Sequence, residues 1–205
     1  MSPTRMFPLE NVLFPAASLH LHIFEERYRA LARDCVAADG AFGGVLIARG
    51  SEVGGGDSRF GVGTMARMTE AAELPDGQWL VTAVGEDRVR VRSWAGEEPY
   101  PQAEVEPFPD LPPGPDSDVR LQRAQRLLRQ ALALKAELGE RVPPATVDLG
   151  AEPGPASYQA ATLAAFSLAD AQRVLEGPGP DDRLAVVIEV LGDLVDVLGR
   201  RLASG

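Results

Sequence analysis

A proline-rich segment near the middle of the chain limits its fold more than any other feature. The segment reads Pro107-Phe108-Pro109-Asp110-Leu111-Pro112-Pro113-Gly114-Pro115. Because proline lacks the backbone N–H that helices and central strands need, neither can form there. Short β-rich runs precede the segment, and apolar residues at helical spacing follow it. The sequence therefore predicts an α+β chain, with a β-rich lobe over residues 1–110 and a helical lobe over residues 116–205.

The β-rich lobe is predicted to be a small, strongly bent sheet or open barrel with one helix. A helix is expected over residues 25–38, because Tyr28, Leu31, Ala32, Cys35 and Val36 recur at helical spacing before Gly40. Strands are expected over residues 9–14, 19–23, 44–48, 60–70, 78–84, 89–94 and 103–105.

Glycine and acidic residues indicate two turns in this lobe. One turn is expected at residues 54–57, and a hairpin turn is expected at Gly85-Glu86-Asp87. The strand after the hairpin alternates arginine with valine, so Arg88, Arg90 and Arg92 are predicted to share a wet face.

The helical lobe is predicted to contain four helices. The first runs from the capping cluster at residues 116–118 to about Leu138, two short ones cover residues 158–166 and 168–175, and the last begins at Asp181. Gly192 and Gly199 lie inside this last helix, where either a close approach to another backbone or an exposed position would account for them.

Charge and lysine content exclude several classes of protein. The 205 residues carry a formal net charge of -10, so nucleic acid is not an expected partner. Lys135 is the single lysine and lies in a helical context without glycine, which excludes a phosphate-binding P-loop and argues against a lysine-dependent active site. No run of residues is apolar enough to span a membrane or to act as a signal peptide, so a cytoplasmic protein is expected.

The sequence predicts a non-enzymatic binding or adaptor module, and the alternative is a metal- or small-molecule-binding enzyme that uses His20, His22 and Glu25. His20 and His22 are two residues apart on a predicted strand and would point the same way, with Glu25 as a third ligand for a metal. The chain has no third histidine, and two imidazoles leave the coordination of a metal incomplete. We therefore expect no bound cofactor or metal, and we expect Cys35 to be a small core residue.

The amino-terminal residues resemble a known family. The segments Met6-Phe7-Pro8-Leu9-Glu10-Asn11-Val12-Leu13-Phe14-Pro15 and Leu21-His22-Ile23-Phe24-Glu25-Glu26-Arg27-Tyr28 look like the opening signature of the Lon protease amino-terminal, substrate-binding domain family. The resemblance continues through residues 43–46, 61–66, 172–176 and 182–184. It implies a PUA-like β lobe beside a helical lobe, and a stand-alone module without the ATPase and peptidase domains of the protease.

The resemblance also implies a module that engages polypeptide substrates. The expected partners are unfolded or client polypeptides, with a separate protease as a further candidate. Exposed apolar side chains between or beside the lobes would serve as the binding surface, and sheet-edge pairing is one route. Four aromatic residues are candidates for contacting the polypeptide, although scarce aromatics are also core material: Phe14, Phe24, Trp79 and Trp94. The signature residues are predicted to be structural, with a buried pair between Glu25 and Arg27: Pro8, Leu9, Phe14, Pro15, His22, Phe24, Glu25, Arg27 and Tyr28.

Overall fold

The computed structural model describes residues 3–49 and 58–204, which separate into two compact units. The first is Met1–Pro109 and the second is Asp110–Gly205. The strands are β1 (Thr4–Leu9), β2 (Ser18–Ile23), β3 (Ala41–Arg49), β4 (Ser58–Glu73), β5 (Trp79–Gly96) and β6 (Gln102–Pro107). The helices are α1 (Glu26–Val36), α2 (Ser117–Glu137), α3 (Pro153–Leu163), α4 (Leu168–Glu176) and α5 (Pro180–Ala203). The predicted α+β class is confirmed, while the turn predicted at residues 54–57 lies outside the described residues.

Five strands of the first unit form a closed ring of pairings. β1 pairs with β3 in parallel, and the antiparallel pairs β3–β4, β4–β5, β5–β6 and β6–β1 complete the ring. β2 lies outside this ring and pairs along the amino-terminal part of β5. The result is a small barrel with one additional strand.

The barrel encloses an apolar core that α1 completes. Leu31, Ala32 and Cys35 of α1 are fully buried, and Tyr28 stacks on Phe7 of β1 with ring centroids 4.4 Å apart. Gly40, with φ at 74°, follows α1 and donates its N–H to the carbonyl of the buried cysteine. The predicted stripe of α1 is therefore buried except at Val36, which is 51% exposed.

The predicted hairpin at residues 85–87 is wrong, because β5 runs through it as one strand of 18 residues. Gly85 exchanges backbone hydrogen bonds with Ala16 and Ala17, and any side chain there would overlap the carbonyl oxygen of Phe14. Pairing with β4 shifts by one residue between Gly85 and Arg88, so the two acidic residues between them form a bulge in place of a turn.

Two other predictions in this unit are also wrong. Residues 10–14 form a loop and not a strand, although Leu13 and Phe14 are buried, because the loop packs on the barrel and the Leu13 carbonyl accepts the Thr64 hydroxyl at 2.6 Å. Arg88 is not on a wet face: it is 4% exposed, and its guanidinium lies 4.3 Å from the ring centroid of Phe108.

The second unit consists of packed helices with long apolar stripes on α2 and α5. The fully buried members are Ala124, Leu128, Ala131 and Leu132 of α2 and Leu184, Val187 and Leu191 of α5. α3 begins at Pro153, five residues earlier than predicted, because proline is well suited to the first turn of a helix. It ends at Leu163, three residues earlier than predicted. Gly192 and Gly199 have open space where a side chain would be, so a close backbone approach does not account for them.

Candidate functional site

β2 is an edge strand without the usual features that protect an edge. It is the terminal strand of the described sheet, and its six residues pair with β5 in unbroken register from Ser18↔Val84 to Ile23↔Trp79. The pairs β3–β4, β4–β5 and β5–β6 each contain a register shift. Proteins commonly protect edges with lysine, proline or bulges, and β2 has none of these. Its second edge is therefore a regular, uncharged template for an incoming strand.

The outer face of β2 continues across β5 and β4 as two neighbouring rows of side chains. In one row, His22 lies opposite Leu80, which lies opposite Ala72. In the next row, His20 lies opposite Thr82 and Thr82 opposite Glu70, with 3.4 Å between the threonine hydroxyl and Nδ1 of the histidine. The rows line an open depression of about 530 Å³, which we call the outer depression.

Two large apolar side chains are exposed here, Leu80 within a row and Phe24 next to it. Phe24 is 54% exposed and sets its ring at 65° to that of His22, with centroids 6.4 Å apart. Leu80 is 48% exposed. Each of the two lies next to His22, and clustered exposed apolar groups are typical of binding surfaces.

A second depression lies on the other side of β2. It has a volume of about 260 Å³ and is called here the inner depression. Its lining combines residues of β1, β2 and the start of α1 with Glu10 and Asn11: Phe7, Leu9, Glu10, Asn11, Leu19, His20, Leu21, His22, Ile23, Phe24, Glu25 and Tyr28. We use the name β2 surface for strand β2, the two depressions, and the exposed Phe24 and Leu80.

The β2 surface carries carboxylates and no arginine or lysine in the linings of its depressions. Glu25 forms an ion pair with Arg27, with 3.3 Å between Oε2 and Nε. Glu10 and Glu70 are exposed, and neither has an ion-pair partner among the described residues. The surface therefore combines apolar and uncharged polar side chains with one of these two carboxylates on each side of β2, Glu10 in the inner depression and Glu70 in the outer one.

The four aromatic residues predicted to contact a polypeptide differ in exposure and in position. Phe14 and Trp79 are each 6% exposed and belong to the core. Trp94 is 38% exposed but lies far along β5, where the guanidinium of Arg59 covers its ring at 4.4 Å. Phe24 alone among the four belongs to the β2 surface.

The signature residues mostly support the fold around the same surface. Pro8, Leu9 and Tyr28 are buried, and the guanidinium of Arg27 lies 4.4 Å from the ring centroid of the tyrosine. Glu25 and Arg27 are paired and largely buried, with 19% and 20% of their side chains exposed. His22 and Pro15 are exposed and half-buried, respectively.

The two histidines share one face of β2, but no third metal-coordinating side chain among the described residues is placed beside them. Across residues 3–49 and 58–204, no group of three histidine, cysteine, aspartate or glutamate side chains is placed to hold a metal ion. The metal-dependent alternative built on His20, His22 and Glu25 therefore has no support in this geometry.

Leu80 and Glu70 belong to the surface but were not among the predicted site residues. Each lies about 50 or more residues from β2 in sequence, and only strand pairing brings them beside it. One signal was available: Trp79, Val81 and Ala83 alternate as buried residues, so Leu80 is an apolar residue in an outward position.

None of the described helices combines the length and the apolar character needed to cross a membrane.

The fold is that of Lon amino-terminal domains. The structure of a Lon N-terminal domain protein from Xanthomonas campestris superposes with a TM-score of 0.65 at 24% identity, covering 92% of this chain and 98% of that one. The N-terminal domain of a Mycobacterium avium complex Lon protease gives a TM-score of 0.69 at 16% identity, covering 93% and 98%.

The sequence identifies the family. Residues 4–193 match the model of the ATP-dependent protease La (LON) substrate-binding domain, and the chain belongs to that family. It is 29% identical over 202 residues to Lon protease 2 of Sorangium cellulosum, covering 94% of this chain and 25% of that protease. It is 26% identical over 200 residues to Lon protease 2 of Myxococcus xanthus, covering 94% and 24%. The chain thus spans about a quarter of the length of the curated relatives that it matches.

Proposed function

We propose that this chain binds extended segments of unfolded polypeptides at the β2 surface, without a chemical step of its own. The observation that carries the proposal is the unbroken, uncharged edge of β2 beside the exposed Phe24 and Leu80. An edge of this kind supplies backbone hydrogen bonds to any sequence, and the apolar side chains add affinity for segments that a folded protein would bury.

Membership of a family of substrate-binding domains supports the same function. The relatives are proteases. We therefore propose a separate protease as the partner that hydrolyses the bound client. We further propose that this takes place in the cytoplasm, as expected for a chain whose one cysteine cannot form an internal disulfide.

The direct test measures binding of one polypeptide in its unfolded and folded forms. Lysozyme that has been reduced and alkylated with iodoacetamide stays unfolded, and native lysozyme is the matched control. We expect fluorescence anisotropy to show saturable binding of the unfolded form. The native form should not bind, because its strands are already hydrogen-bonded within its own sheets and its apolar side chains are buried.

Substitutions locate the binding to the β2 surface. Phe24→Ser and Leu80→Ser are each expected to weaken binding roughly five- to tenfold, since each removes part of an exposed apolar side chain. Val197→Ser on α5 is the control, because Val197 is also apolar and is 46% exposed in the other unit. Equal affinity for native and unfolded lysozyme, or equal losses from all three variants, would contradict the proposal.

A further inference from the structure

The two rows of the outer depression have different chemistry. The row of His22, Leu80 and Ala72 is joined by the exposed Phe24 and offers apolar contact. The row of His20, Thr82 and Glu70 is polar and ends in a carboxylate. The depression therefore presents two chemically different positions side by side.

The spacing of the rows equals the spacing of side chains in an extended chain. Successive rows on one face of a sheet are two residues apart, or about 7 Å. In an extended segment lying along the strands, residues i and i+2 point to the same side and are separated by the same distance. One side chain of such a pair can lie over the apolar row while the other reaches the polar row.

The charge of the polar row indicates which side chain it accepts. Glu70 is exposed and has no ion-pair partner in the described part of the chain, and no arginine or lysine lines the depression. A lysine or arginine of the bound segment would supply the missing positive charge, whereas an acidic residue would be repelled. The net charge of -10 attracts cationic segments over a longer range as well.

We infer that the β2 surface selects extended segments in which a large apolar residue and a lysine or arginine are two positions apart. The segment lies over the outer face along β5, where its apolar side chain contacts Leu80 and its cationic side chain pairs with Glu70. This inference rests on the polypeptide binding proposed above and specifies its preferred substrate.

Three labelled nine-residue peptides of otherwise identical threonine-rich sequence test the selection. The first has leucine at its fourth and lysine at its sixth position, the second has them at the fourth and fifth, and the third has glutamate in place of the lysine of the first. Anisotropy titrations at fixed pH and ionic strength compare the full chain with its Glu70→Gln variant. Glu137→Gln is the matched control, since Glu137 is an exposed glutamate on α2.

We expect the first peptide to bind roughly two- to fivefold more tightly than the other two, as is usual for an exposed ion pair. Glu70→Gln should reduce its advantage over the third peptide clearly more than Glu137→Gln does, because the control removes one unit of net charge but no local partner. Equal binding of all three peptides, or equal reductions of the advantage by Glu70→Gln and Glu137→Gln, would overturn the inference but leave the proposed function intact. Binding of no peptide, together with no binding of unfolded lysozyme, would overturn both.

Discussion

The buried guanidinium of Arg183 fixes the beginning of the helical unit. Its Nη1 and Nη2 donate to the two carboxylate oxygens of Asp110 at 2.7 and 2.5 Å, and its Nε donates to the Ser157 hydroxyl at 2.9 Å. The guanidinium also lies 4.5 Å from the ring centroid of Tyr158. Since the arginine is fully buried, its charge depends on these partners.

Asp110→Ala is expected to lower the free energy of unfolding of the helical unit by about 3 kcal/mol, because it leaves a buried charge without its counter-ion. Urea unfolding followed by circular dichroism measures the change. Asp196→Ala on α5 is the control, since Asp196 is exposed, and should cost less than about 0.5 kcal/mol. A similar small loss for both variants would show that Arg183 is satisfied without Asp110.

Cys35 is predicted to be unreactive in the native protein. Burial raises the pKa of its thiol to about 11, so almost none of the reactive thiolate exists at pH 8. We expect a disulfide reagent to leave Cys35 unmodified at pH 8 until the protein is denatured.

A neighbouring position supplies the control for this measurement. In Val36→Cys, made in a Cys35→Ala background, the new thiol occupies a position that is 51% exposed, and it should react within the time of a conventional assay. Rapid reaction of Cys35 itself under native conditions would contradict its placement in the core.

At the scale of strands and helices, the sequence predicted an element well where its hydrogen bonds are local, as in a helix, and its apolar residues recur at the spacing of that element. The helix at α1 and the ends of α2 and α4 were predicted to within a few residues, because their stripes and terminal glycine or serine residues act locally. The hairpin at residues 85–87 failed for the opposite reason. Glycine and two acidic residues suit a turn and a bulge equally well, and the choice depends on Ala16 and Ala17, which are distant in sequence.

The candidate site was predictable only in part for the same reason. Phe24 could be named from the signature, but Leu80 and Glu70 join it through strand pairing. Exposure also could not be read from residue type, since Trp79 is buried while Trp94 and Phe24 are exposed. Long-range pairing decided each of these outcomes.

Two glycines of β4 provide a test of the barrel packing. A side chain added at Gly63 would overlap the carbonyl oxygen of Gly44 on β3, whereas Gly61 has open space. We expect Gly63→Ala to lower the free energy of unfolding of the β unit by about 1 to 3 kcal/mol through overpacking.

Gly61→Ala is the matched control, with an expected change within about 1 kcal/mol in either direction. Thermal or denaturant unfolding followed by the fluorescence of the buried Trp79 would measure both variants. Equal effects of the two substitutions would show that β3 and β4 do not approach closely at Gly63.

For the whole molecule, the division of the chain makes a prediction about where binding occurs. The β2 surface lies entirely within the unit Met1–Pro109. We propose that residues 1–109 fold on their own, because this unit has its own core, and that they bind unfolded lysozyme with the affinity of the full chain.

Residues 110–205, expressed alone, are the control and should not bind. Circular dichroism and a cooperative unfolding transition establish that each fragment is folded before binding is measured. A folded 1–109 fragment that fails to bind, while the full chain binds, would show that the helical unit contributes to the surface.

The exposed edge of β2 has a consequence for how this protein behaves at high concentration. A regular edge that accepts a foreign strand can also accept the same edge of another copy, which is a route to aggregation. The net charge of -10 opposes such encounters between copies, because like-charged molecules repel one another. Added salt screens this repulsion, so colloidal stability should decrease as ionic strength rises. Under the proposed function, the acidic composition keeps the binding edge of β2 available while it opposes self-association.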